Sequence, residues 1–270
     1  LLQPVAAIGQ LNNSKPDNLQ DVGIEERLGE KLPMHLKFAD SSGDSLTIGE
    51  LFNSDKPVLL NPVYYECPML CTMVIDAVYT GVRQLKWKPG DDYTIITFSI
   101  DPDEDHQLAS ATKKEILNKL GQPGAEEGWH FLTGKPESIR QLTDAAGFNY
   151  QKIDQRGEFR KSEYAHAAAI MFLSPDASLT RYLYGIKFDE FNMRNALYEA
   201  ADGKIGNTVD QVLMYCYQYD PDSNSYVPVA WRIMQVGGLV TFLILGIFLG
   251  FLWLKEKDTP NDIQESQFDN

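Results

Sequence analysis

Two cysteines four residues apart, Cys67 and Cys71, are the side chains in this sequence best suited to chemistry. They lie in the run NPVYYECPMLCT, where an apolar stretch leads to Cys67 and Pro68 opens a helical pattern. At a helix start, unpaired backbone N–H groups and the helix dipole stabilise a thiolate, lowering the thiol pKa below its usual ~8.5. Residues four apart on a helix share a face, so the two sulfurs can converge on one atom. Such a pair can close a disulfide, exchange with other thiols, or bind a soft cation. The third cysteine, Cys216, sits between Tyr215 and Tyr217 in an apolar run and reads as a small buried hydrophobe. Three cysteines do not make a disulfide framework.

Two thiolates select soft ions such as Cu(I), and an added imidazole makes a three-ligand site that suits copper. Of the four histidines, His166 is the best placed. It ends the loop-like stretch GEFRKSEYAH and precedes the apolar strand AAAIMFL, and loops carried on a rigid scaffold commonly supply ligands. Taken alone, a single histidine is as readily a packed or solvated group. His35, His106 and His130 offer less, and His106 beside an acidic turn reads as a solvated helix-start residue. Neither a catalytic triad nor a phosphate-binding loop is evident.

The elements that must position these groups follow from hydrophobic periodicity. Residues 1 to about 30 are polar, with a short helix expected near Ile24–Leu28. LKFADSSGDSLTI alternates around a turn and predicts a hairpin. PVLLNPVYY and YTIITFSI are continuous apolar runs, the pattern of strands buried on both faces. From Pro68 to Leu85, apolar residues recur at three- and four-residue steps and predict a helix. A second helix follows DPDED, with Asp103 to Asp105 favouring its start. WHFLTG predicts a strand, PESIRQLTDAAG a helix opened by Pro and closed by Gly, and FNYQKI, AAAIMFL and LTRYLYG three strands. DEFNMRNALYEA is the next helix; NTVDQVLMYCYQY could be helical, and YDPDSNSY is a turn. Strands alternating with helices predict an α/β domain.

At this point three motifs resemble the Sco/SenC family, the copper-handling proteins of cytochrome c oxidase assembly. YYECPMLC is similar to the family's C-P-x-x-C loop, and FSIDPDED to its S-I-D-P-x-x-D segment; AHAAAIMFLSPDASLTRYLYG carries a His before a strand. They span roughly Leu36 to Ala200 in the family's order. The resemblance implies a thioredoxin-like fold with copper bound by Cys67, Cys71 and His166. It also implies that Asp101, Pro102 and Asp105 form a structural or partner-docking loop near the site, a turn with a helix cap being the plainer alternative. Met69 stands where the family often has Asp, and its thioether is a soft group at the rim. The same two cysteines would equally serve a thiol–disulfide reductase, one attacking and the other resolving.

The 270-residue chain has a formal net charge of -14, which disfavours nucleic acid as a partner. Its clearest global signal is IMQVGGLVTFLILGIFLGFLWL, 22 uncharged residues from Ile233 to Leu254. At ~1.5 Å per residue this crosses a hydrocarbon core of ~30 Å, and Trp231 and Trp253 mark its ends as interfacial aromatics. Lys255 and Lys257 after the span place the tail in the cytoplasm and the large domain outside by the positive-inside rule. Gly246 and Gly250 form a GxxxG step that permits close helix contact. The expected organisation is an arm over 1–30, a thioredoxin-like domain over 31–202, a connecting segment over 203–230, a transmembrane helix over 231–254 and a polar tail over 255–270. Beginning at Leu1 without a Met, the sequence is expected to be a mature chain whose export signal was removed. The expected setting is a bacterial inner membrane, and the expected partner an oxidase copper subunit or another respiratory-complex subunit. A permanent accessory subunit of such a complex is the third reading.

Overall fold

The computed structural model describes residues 22–52, 55–66, 70–153, 163–202, 217–220, 223 and 225–257. They fall into two units, 1–206 and 207–270.

The first unit is built on a seven-stranded mixed sheet. Its centre is β4 (Val58–Val63), β5 (Thr94–Ser99) and β6 (Trp129–Gly134), three neighbouring parallel strands. Every residue of β4 and β5 is buried, which is why both segments carry continuous apolar runs instead of alternation. On the β4 side, β10 (Ala169–Leu173) and then β11 (Leu179–Tyr184) add antiparallel. On the β6 side, β2 (Lys37–Ala39) and β3 (Ser45–Thr47) form the expected hairpin, with β2 antiparallel to β6. The strand order is β11-β10-β4-β5-β6-β2-β3.

Helices pack on this sheet through the apolar stripes their sequences show. In α1 (Leu70–Gln84), Val74, Ile75, Val78 and Val82 are buried while Met73 faces solvent. The side chain of Asp105 caps α2 (His106–Leu120), accepting from the Gln107 and Leu108 N–H groups, and Gly121 at φ 62° closes it. A single turn, α3 (Ala125–Gly128), precedes β6. Pro136 opens α4 (Pro136–Ala145), and Asp189 caps α5 (Glu190–Ala200) through the Asn192 N–H.

Three expectations are corrected. Residues near Ile24–Leu28 do not form a helix. Gly23–Ile24 is a short strand, β1, paired with β7 (Phe148–Asn149), and the Arg27 N–H donates to the Tyr182 hydroxyl at 3.2 Å. So short a helix would not repay its own nucleation, and these long-range bonds satisfy the same backbone groups. FNYQKI is not one strand. It divides at Tyr150 into β7 and β8 (Gln151–Ile153), and β8 pairs antiparallel with β9 (Glu163–Ala165). The acidic run before α2 does not act as a unit on the helix dipole: Asp105 alone caps, Asp103 lies 3.6 Å from the Lys152 ammonium, and Glu104 turns inward.

In the second unit β12 (Tyr217–Asp220) pairs antiparallel with β13 (Ser225–Pro228), and the middle of the expected turn YDPDSNSY lies outside the described residues save Ser223. The expected helix over NTVDQVLMYCYQY lies largely outside the described residues, as does Cys216, while Tyr217–Tyr219 is strand. The 28-residue helix α6 (Ala230–Lys257) follows. Over Ala230–Leu254 its mean hydropathy is 2.3, long and apolar enough to cross a membrane, and none of its most apolar window is buried. Phe242 and Ile247 are 73% and 74% exposed.

Candidate metal centre

Topology brings Tyr64–Glu66, which precede the cysteine segment, and His166 to one end of the sheet. β4 and β5 are parallel, so both release the chain at the same edge, the usual place for function in such sheets. β4 leads through Tyr64–Glu66 to Cys67, and β5 leads into the Asp101–Asp105 turn. β10 runs antiparallel to β4, so its beginning, just after His166, lies beside the end of β4. The β4–β10 ladder reaches only to Leu60–Met171. Pro62, which has no N–H to donate, lies just beyond, and the two chains separate there.

Tyr64 packs across this gap. It is 4% exposed, and its ring meets the His166 imidazole edge-on, centroids 5.9 Å apart. It also meets the ring of Tyr164 at 5.6 Å. Phe148 covers the imidazole from another side at 5.8 Å. The His166 Nδ1 lies 2.9 Å from the Ala167 carbonyl oxygen. A carbonyl can only accept, so Nδ1 carries the proton and the ring's lone pair is on Nε2. Burial lowers the imidazole pKa, against a smaller raising effect of that carbonyl. A neutral ring with one nitrogen anchored to the backbone and the other basic has the form of a metal-ligating histidine.

The cysteine approach is held just as firmly. The Tyr65 hydroxyl donates to the Leu132 carbonyl at 2.9 Å, with the Thr97 carbonyl at 3.2 Å. Its backbone N–H donates to Glu104 Oε2 at 2.8 Å, and the next N–H, of Glu66, donates to Glu104 Oε1 at 2.7 Å. The Ser99 hydroxyl completes the set with a 2.5 Å bond to Glu104 Oε2. Burial raises the Glu104 pKa and nearby Asp101 adds to that, while the three donors pull it down. Asp101 is 7% exposed; its Oδ1 accepts from the Tyr164 hydroxyl at 3.1 Å and from the Asp103 N–H at 3.0 Å.

Of the residues singled out in the sequence, His166 stands beside the end of β4, and Cys71 is the second residue of α1. Cys67, Pro68 and Met69 lie outside the described residues, as does the Cys71 side chain. Among the described residues no group of three His, Cys, Asp or Glu side chains could hold a metal ion. His35 is exposed, His106 begins α2, and burial together with Lys113 brings the pKa of His130 on β6 down to about 4. Asp101 and Asp105 are a tether and a helix cap. Sequence reasoning missed Glu104, Tyr64 and Tyr164. The pattern YY before ECP was a visible aromatic signal, but nothing local separated Glu104 from its acidic neighbours.

Known proteins share this architecture. Two solved structures from Aquifex aeolicus VF5 match with TM-scores of 0.56 and 0.50 at 25% and 26% identity. The matches cover 66% and 64% of this chain and 96% and 98% of those chains. Arabidopsis thaliana ScoI, solved with copper bound, matches with a TM-score of 0.51 at 19% identity, covering 65% of this chain and 99% of its own. No curated protein matches. That Arabidopsis thaliana protein is, by its name, a Sco protein. The fold is the thioredoxin-like fold of that family. The SCO1/SenC family model matches residues 26–200, the whole sheet and its helices, and the chain belongs to that family.

Proposed function

We propose that this chain is a membrane-anchored copper-binding protein whose ligands are Cys67, Cys71 and His166, and that it delivers copper to the dinuclear copper centre of a cytochrome oxidase. The observation that carries the reading is the contact of Tyr64 with His166. Cys67 follows Tyr64 by three residues, within about 11 Å of chain at full extension, and Cys71 begins the helix that follows. Two soft thiolates with one neutral imidazole suit Cu(I) and Cu(II) alike, and they release the ion by ligand exchange without a general acid or base.

The anchor is the helix over 231–254. A core helix of such length would be buried; this one presents Phe242, Ile247 and Phe251 to its surroundings, as a lipid-facing helix does. The domain over 31–202 then sits on the outer side of a bacterial inner membrane, with the tail over 255–270 in the cytoplasm. Its partner is the oxidase copper subunit.

Substituting His166 tests the assignment. His166→Ala is expected to weaken Cu(I) binding about 10²-fold in competition with a chromogenic chelator, roughly one ligand's share of a metal site's binding energy. It should also change the copper(II) absorption spectrum. Unchanged affinity and spectrum would remove His166 from the site. Lost copper binding with oxidase assembly intact would instead favour a thiol–disulfide reductase acting on the oxidase cysteines.

A further inference from the structure

One short turn touches both arms of the centre. Glu104 accepts the backbone N–H groups of Tyr65 and Glu66, the last two residues before Cys67. Three residues earlier, Asp101 accepts the hydroxyl of Tyr164, two residues before His166. The Lys152 ammonium, on the strand paired with the one bearing Tyr164, lies 3.6 Å from Asp103. The turn is rooted in β5 through the Ser99 hydroxyl, which accepts from the Asp101 N–H at 3.0 Å and donates to Glu104. It is rooted in α2 through the Asp105 cap.

We propose that Glu104 is a positioning residue for the copper centre: it fixes the cysteine arm to the turn that also holds the histidine arm, and so sets the separation of sulfur and nitrogen ligands. This rests on the copper reading above. The chemistry of the contact favours the role. A carboxylate has two oxygens and can accept two successive N–H groups at once, and each bond is charge-assisted. A carboxyl group kept largely from water and given three donors is held in one place. Its side chain leaves the ion itself to the cysteines and the imidazole. Partners that orient ligands in this way commonly account for 10–100-fold in metal affinity.

The full chain with Glu104→Ala, Glu104→Gln and Asp189→Ala, each against wild type, tests this in two ways. The first needs no metal: amide hydrogen exchange at Tyr65 and Glu66 should quicken at least about 10-fold in Glu104→Ala. The second is Cu(I) affinity by chelator competition, with the copper(II)–thiolate absorption band as a spectroscopic signature. Glu104→Ala should lose about 10–100-fold in affinity and shift the band. Glu104→Gln keeps one acceptor oxygen and the side chain's shape, and should fall between wild type and alanine in both readouts. Asp189→Ala loses the α5 cap and is merely less stable, and it should bind copper as wild type does. Faster exchange with unchanged affinity and band would overturn the positioning role while leaving the copper reading intact. Unchanged exchange, or equal losses in Glu104→Ala and Asp189→Ala, would also overturn it. A wild-type protein that fails to bind Cu(I) would overturn the copper reading itself, and the inference with it.

Discussion

Replacing Cys67 with serine will lower Cu(I) affinity about 10³-fold while leaving the domain folded. A thiolate is soft and ionises within reach of neutral pH, whereas a hydroxyl is a hard, neutral group with little affinity for a soft cation. Four-ligand structural zinc sites draw about 10–16 kcal/mol from their ligands, so one ligand corresponds to about 2.5–4 kcal/mol, a thiolate for a soft cation standing at the upper end. Serine preserves the size and shape of the side chain, and the adjacent Tyr65 and Glu66 keep their bonds to Glu104. The thermal midpoint of the copper-free protein should therefore change little. Competition with a Cu(I) chelator at fixed pH, run beside thermal unfolding, separates the two effects. A serine variant that retains wild-type affinity would remove Cys67 from the ligand set.

Substituting Gly128 with alanine will have the largest effect on the fold, a loss of about 3 kcal/mol or more. A Cβ at this position would lie 1.8 Å from the Gly90 nitrogen and 2.4 Å from both Gly90 Cα and the Pro89 carbonyl carbon. All three are backbone atoms, so no side-chain rotation relieves the clash, and overpacking of this kind costs about 1–3 kcal/mol or more. The Pro89–Gly90 turn lies against the end of α3 just before β5, and the Gly90 N–H donates to the Tyr93 carbonyl at 2.8 Å. Gly121→Ala makes a useful contrast. Its Cβ would meet nothing within 4 Å, leaving only the cost of a left-handed φ of 62°, about 1–2 kcal/mol. Urea unfolding of the two variants should show the larger loss for Gly128. Equal midpoints would mean that the two turns do not touch.

What could be read from the sequence was whatever depends on neighbours along the chain. The buried strands β4 and β5 announce themselves as unbroken apolar runs, α1 by its three- and four-residue steps, and α6 by its length without charge. Asp105 and Gly121 bound α2 through local rules of capping. The position of His166 beside the end of β4, the strand that leads toward Cys67, is another matter, for nothing in the spacing along the chain brings that residue near that strand. It follows from β10 lying antiparallel beside β4, a pairing that periodicity cannot reveal. The family resemblance supplied it instead. Glu104 escaped notice because Asp103, Glu104 and Asp105 look alike as a charged run, and only the folded chain sends one of them inward. The strand β9 escaped because three residues in a polar stretch carry no measurable period. The helix expected near Ile24 failed because its backbone finds partners in β7 and Tyr182.

X-ray absorption at the copper edge of the Cu(I)-loaded full chain tests the central claim most directly. The account predicts a first shell of two sulfur and one nitrogen scatterers, with the nitrogen lost in His166→Ala and a sulfur lost in Cys67→Ser. A first shell without an imidazole nitrogen, or one unchanged in either variant, would contradict it.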